Sequence, residues 1–181
     1  MGLPAGSHCV RLCSQTALGD EGEVTVNCFS PHVGTDERAA DRYLSVHWLE
    51  YFGHGSFSEC LKKLRAFLLN SQVPRERKPT TNGKLAVLPC DQLILMAQQE
   101  VQIEIQVHHE PRVANVATSI EVSPEGEIRY GIAPQQALTL GLNLDPHSGI
   151  HTLPEAAAHQ LAVQQYLVSN VVYVEPGRIP T

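Results

Sequence analysis

Ten residues near the middle of the chain, EVQIEIQVHH at 100–109, carry an unbroken alternation up to the closing pair of histidines. Val101, Ile103, Ile105 and Val107 fall on one side of an extended backbone, and Gln102, Glu104, Gln106 and His108 on the other. A two-residue period is that of a strand with one buried face, and it does not suit an amphipathic helix. Such a strand needs partners for its backbone groups and a packed layer over its apolar side. RVANVATSIEV and EIRYGIA follow, separated by SPEG, whose Pro124 and Gly126 suit a tight turn. The three read as a meander over about residues 99–132.

KLAVLP at 84–89 and NVVYVEP at 170–176 add two candidate strands. EVTVNCFS at 23–30 places Val24, Val26 and Cys28 on one face and reads as another, while RYLSVHWLEYFG at 42–53 fits a short strand that enters a helix. Two main helices are expected. In SFSECLKKLRAFLLN, Ser56 and Glu59 have capping-box spacing ahead of Phe57, Leu61, Leu64 and Leu68, which predicts a helix over about 57–71. In TLPEAAAHQLAVQQYL, Thr152 and Glu155 repeat the spacing with Pro154 tolerated in the first turn, which predicts a second over about 153–168.

These elements define an α+β fold with a central, mostly antiparallel sheet. A length of 181 residues at 43% hydrophobic content supports one core, so 1–181 is expected to be a single domain. Residues 1–20 are expected to form a poorly ordered N-terminal segment, and 73–83 an exposed basic loop.

No apolar run approaches the ~20 residues of a membrane-spanning helix, and the first 30 residues lack the basic and hydrophobic parts of a secretory leader. Gly6 stands where a myristoylation motif needs Ser or Thr. Cys9, Cys13, Cys28, Cys60 and Cys90 are odd in number and show neither a CxxC pair nor scaffold spacing, which suits a reducing cytoplasm. Their ordinary role is that of small buried hydrophobes; only Cys90, at a strand end, is placed like a nucleophile.

The net charge of −6 argues against a dedicated nucleic-acid binder. Its distribution is uneven. Residues 62–84 carry +6 through Lys62, Lys63, Arg65, Arg75, Arg77, Lys78 and Lys84 against Glu76, and the remainder carries −12. This segment is the candidate contact surface for an acidic partner, and a solvated helix face is its plain alternative. Nucleic acid binding through the same segment, with Trp48 or Tyr51 stacking a base, is the less favoured reading. Core packing is the favoured reading of Trp48, Tyr51 and Phe52, since large aromatics dominate the burial of small cores.

Two histidine stretches carry the enzyme alternative. Alternation sends His108 to the polar face and His109 toward the core side, so neighbours in sequence are parted in space. DPHSGIH at 145–151 reads as a loop able to turn Asp145, His147 and His151 inward, and His108 would complete a metal set if its strand ended beside that loop. No cofactor is specified. The alternative chemistry is acid–base catalysis by His109 or His147, with Glu110 or Asp145 as orienting acid. Ser148 is too close in sequence to Asp145 and His147 for a triad, whose members normally come from separate elements. No GxSxG, GxGxxG or P-loop is present.

The segment CFSPHVGTDERAADRYLSVHWLEYFG, with its Leu44-Ser45-Val46-x-Trp48-Leu49-Glu50 core, and the later DPHSGI resemble a family of small bacterial proteins of uncharacterised activity. The resemblance extends over most of residues 24–172. It implies an accessory component of a bacterial operon, in defence or conflict systems, acting with another protein of that operon, and it implies no catalytic residue. Protein–protein interaction is thus the first expectation and a histidine-based hydrolase or metal enzyme the alternative.

Overall fold

The computed structural model describes residues 2–30, 43–69, 78–109, 146–152 and 160–176, and for Tyr43, His151 and Thr152 the backbone alone. The fold is α+β, as expected. Six strands form one sheet in the order β4-β5-β2-β1-β3-β6, with every neighbouring pair antiparallel. They are β1 His8–Cys13, β2 Tyr43–Trp48, β3 Lys84–Pro89, β4 Ile105–His109, β5 His147–Thr152 and β6 Tyr173–Pro176. The helices are α1 Phe57–Leu68, α2 Cys90–Glu100 and α3 Gln160–Ser169.

Both faces of β1 and β3 are covered. α1 supplies Cys60, Leu61, Leu64 and Leu68 against Val10, Leu85 and Val87 on one face. α2 and α3 supply Leu93, Ala97, Val163, Tyr166 and Leu167 to the other face, where Cys9, Val46, Ala86, Leu88, Val107 and Ile150 lie. α1 begins where the sequence predicts, since the Ser56 side chain accepts from the Glu59 backbone and the Glu59 carboxylate accepts from the Ser56 backbone. Arg65 fastens α1 to the edge strand, donating to Glu175 at 3.0 Å and to the Pro176 carbonyl at 2.8 Å.

Four expectations are corrected. β4 is half as long as its alternation suggests, because CDQLILMAQQE folds as α2 through Glu100, burying Leu93 and Ala97 one turn apart, and Gln102 reverses the chain at φ 56°. EVTVNCFS is mostly a one-turn 3-10 helix, Val26–Phe29, capped by Thr25, whose hydroxyl accepts from Asn27. Residues 8–13 of the supposedly loose N-terminal segment are β1, an interior strand whose Cys9 and Val10 are fully buried. DPHSGIH is not a loop from His147 onward but β5, hydrogen-bonded on both sides. Residues 110–132 of the expected meander and 153–159 of the second expected helix lie outside the described residues.

Candidate functional site

The apolar cluster beneath α1 draws on β1, β3 and β6 and, among the described residues, takes nothing from β2, β5 or β4. On that same face the sheet turns polar. β2 alternates Leu44, Val46 and Trp48 toward one side and Ser45 and His47 toward the other, so its polar parity matches that of Val10, the partner of His47. β5 continues the pattern. His147 stands opposite His47 and Gly149 opposite Ser45 on the β2 side, while Gly149 stands opposite His108 on the β4 side.

Gly149 is therefore the floor of a polar patch. Across from it lie Ser45 and His108, and two residues away along β5 lie His147 and the backbone position of His151. Having no side chain, Gly149 places only a hydrogen between its polar neighbours on this face.

His147 is completely buried, and its Nε2 is 2.9 Å from the Ser45 hydroxyl. The rings of His47 and His147 meet edge to face with centroids 6.1 Å apart, and His47 is 3% exposed. His108 Nε2 lies 3.0 Å from Gln106 Oε1 on the same polar side. Two imidazoles buried in a sheet need partners for their ring nitrogens, a demand that apolar residues would not make.

The opposite face receives His109, whose ring lies 5.4 Å from Trp48 and 5.5 Å from Tyr51. Tyr51 also packs on Phe52, and Phe52 on Phe67. These aromatics are half-buried packing. The indole N–H of Trp48 is buried with no acceptor among the described residues.

The sequence-derived candidates are thus sorted by the sheet. His108 and His147 come to one face with the backbone of His151; His109 goes to the other and does not join His147. Asp145, Glu110, Arg75 and Arg77 lie outside the described residues. Among the described residues no group of three His, Cys, Asp or Glu side chains is placed to hold a metal ion. Lys62 and Lys63 are exposed on α1, Lys78 is half-buried, and Arg65 is withdrawn into its pairing with Glu175. Ser148, the serine nearest in sequence, is fully buried on the opposite parity and bonds the Pro146 carbonyl.

Ser45 and His47 were not among the sequence candidates. The signal was present in the alternation of LSVHW, where both polar residues share one parity, but their meeting with His147 depends on a pairing 102 residues away. A second histidine couple also escaped notice. His8 Nδ1 lies 2.8 Å from Glu50, whose other oxygen accepts from the His8 backbone at 3.0 Å, and Phe57 packs on the ring.

Fold and site together define a single-sheet α+β protein with a serine and histidines gathered on one half of one face. Compared with known protein families, curated proteins and solved structures, the chain matches none. No helix among the described residues is long and apolar enough to cross a membrane.

Proposed function

We propose that the protein is an acid–base enzyme of the hydrolase type, with Ser45 as nucleophile and His147 as its base. The observation that carries this reading is the 2.9 Å contact between Ser45 Oγ and His147 Nε2 at the edge of the Gly149 floor. With Nε2 unprotonated, His147 accepts the hydroxyl proton as Ser45 attacks an electrophilic carbonyl or phosphoryl centre, and it returns the proton to the leaving group. His47, edge-on to His147, and His108, across Gly149, are the further imidazoles able to donate to a bound polar group. Serine and base come from separate strands, as the members of such a couple normally do.

The test is labelling of the intact chain with a fluorophosphonate, followed by peptide mapping. An adduct on Ser45 that disappears in His147→Ala supports the reading; an unlabelled Ser45, or one labelled equally in the variant, removes it.

The exposed Lys62 and Lys63 favour a second reading, in which the segment 62–84 binds an acidic partner protein encoded in the same bacterial operon, in a defence setting and in the cytoplasm. Five free thiols suit that reducing compartment. Exchanging Lys62, Lys63, Arg75, Arg77 and Lys78 for Glu is expected to abolish co-purification with the neighbouring gene product. Retention of the partner by a folded variant would exclude this surface.

A further inference from the structure

β1 ends where β3 begins, with Cys13 in register with Lys84. Just before β3 the chain turns through Thr80–Gly83, closed by the Gly83 N–H donating to the Thr80 carbonyl at 3.2 Å. Gly83 is buried, and a Cβ there would collide with the Thr80 hydroxyl and stand 2.6 Å from the Cys13 carbonyl oxygen. Only glycine lets the stretch before β3 fold back this closely on the end of β1. Asn82 pins the turn from outside, donating from Nδ2 to Gln15 Oε1 at 3.2 Å.

The fold-back encloses a cavity of about 80 Å³. Lys84 and Ser14 line it from the strand ends, and Lys78 and Thr80 from the returning segment. The Ser14 hydroxyl is steadied at 3.1 Å by that of Thr16. Both lysines are half-buried, no acid lines the cavity, and neither lysine pairs with a carboxylate among the described residues. Arg65, by contrast, is drawn into the fold with Glu175 as its counter-charge. Two ammonium groups gathered round one cavity repel each other, and partial burial strips some of their water. A bound anion relieves both costs.

The donors suit a particular anion. Two point charges and two hydroxyls, converging from two sides, match oxygens spread over a tetrahedron, whereas a planar carboxylate is best met by a guanidinium fork, and no arginine lines the cavity. The volume is far below the roughly 300–1,000 Å³ of a site that encloses a drug-sized molecule, so one small group fits.

We propose that this cavity binds a phosphoryl group, as inorganic phosphate or as the end of a small phosphate monoester, with Lys78 and Lys84 supplying the charge and Ser14 and Thr80 the hydroxyl donors. The site is independent of the Ser45 chemistry. Lys84 shares the parity of Ala86 and Leu88, on the α2–α3 face, while Ser45 and His47 share that of Val10 on the other. It also needs no acidic partner protein.

The experiment follows the backbone amides of the full chain by NMR during titration with sodium phosphate, the ionic strength being held constant with sodium chloride. Saturable shifts are expected at Ser14, Thr80, Gly83 and Lys84. Lys78→Gln and Lys84→Gln should each raise the Kd about tenfold, and Lys62→Gln on α1 should leave it unchanged. O-phosphoserine added in competition sorts the source: displacement of phosphate means that a monoester end is accepted, and no displacement restricts the site to the free anion. Shifts that rise without saturating, that centre elsewhere, or that persist undiminished in both lysine variants overturn the proposal. The wild-type titration decides whether this cavity binds phosphate even if a variant fails to fold.

Discussion

The two halves of the sheet are paired in the same antiparallel way, but they are filled on opposite principles. In β3, Leu85, Ala86, Val87 and Leu88 are all fully buried, because α1 covers one face and the α2–α3 layer lies on the other. In β2 the alternation survives: Leu44 and Val46 are buried with the α2–α3 layer, while Ser45 and His47 share the parity that α1 covers elsewhere. A strand apolar on both faces is committed to packing. A strand that brings serine and histidine into a buried position gives up hydrophobic stabilisation there, and that loss marks where to look for chemistry.

The largest expected effect separates the halves directly. Leu64→Ala, beneath α1, should lower unfolding free energy by about 2–5 kcal/mol, since it removes a fully buried side chain from a packed cluster. His147→Leu, equally buried, exchanges a polar ring for an apolar group and should change stability by less than about 1.5 kcal/mol while abolishing fluorophosphonate labelling of Ser45. Urea denaturation of both variants measures the contrast. Equal losses would show that the histidine half is held as a packed core is, and the comparison would collapse.

A smaller effect tests how the apolar half is closed at its edge. Arg65 is 5% exposed and serves both Glu175 and the Pro176 carbonyl, so Arg65→Ala should cost about 2 kcal/mol by leaving a carboxylate without its cation. Arg65→Lys should recover only part of this, because the planar guanidinium fixes the direction of both N–H groups of Nη2 toward their acceptors, which a freely rotating ammonium does not. Full recovery in a melting experiment would reduce the interaction to simple charge.

Much of the apolar half was legible in the sequence. KLAVLP is β3 residue for residue, and the Ser56–Glu59 spacing marked the start of α1, because both depend on neighbours within a few positions. α2 was not legible: LILMA is a short apolar run that suits either period, and the alternation after it drew the strand too far forward. β5 was read as a loop able to turn Asp145, His147 and His151 inward, and it is a strand because β2 and β4 flank it on both sides. The site shares that difficulty. His108 and His147 were named from residue type and do share a face, but Ser45 and His47 acquire meaning only through register between strands far apart in the chain.

The smallest expected effect concerns the α1 cap, and it belongs to the apolar half alone. Ser56→Ala removes a hydroxyl that accepts from the Glu59 backbone and should cost about 1 kcal/mol. Glu59 adds a pH dependence. Hydrogen bonds from the Ser56 backbone and then from its hydroxyl hold the Glu59 carboxyl below its ordinary value of 4.5. A carboxyl lowered by folding stabilises the native state fully above its unfolded value, and that contribution is lost as pH falls from 4.5 through the lower folded value. Acid unfolding of Glu59→Gln should therefore be less steep than wild type below pH 4.5, with the two curves parallel at neutral pH. Because the cap lies on α1, Ser45 labelling after return to neutral pH should be the same in both proteins; a loss confined to Glu59→Gln would mean that the apolar half positions the histidine half.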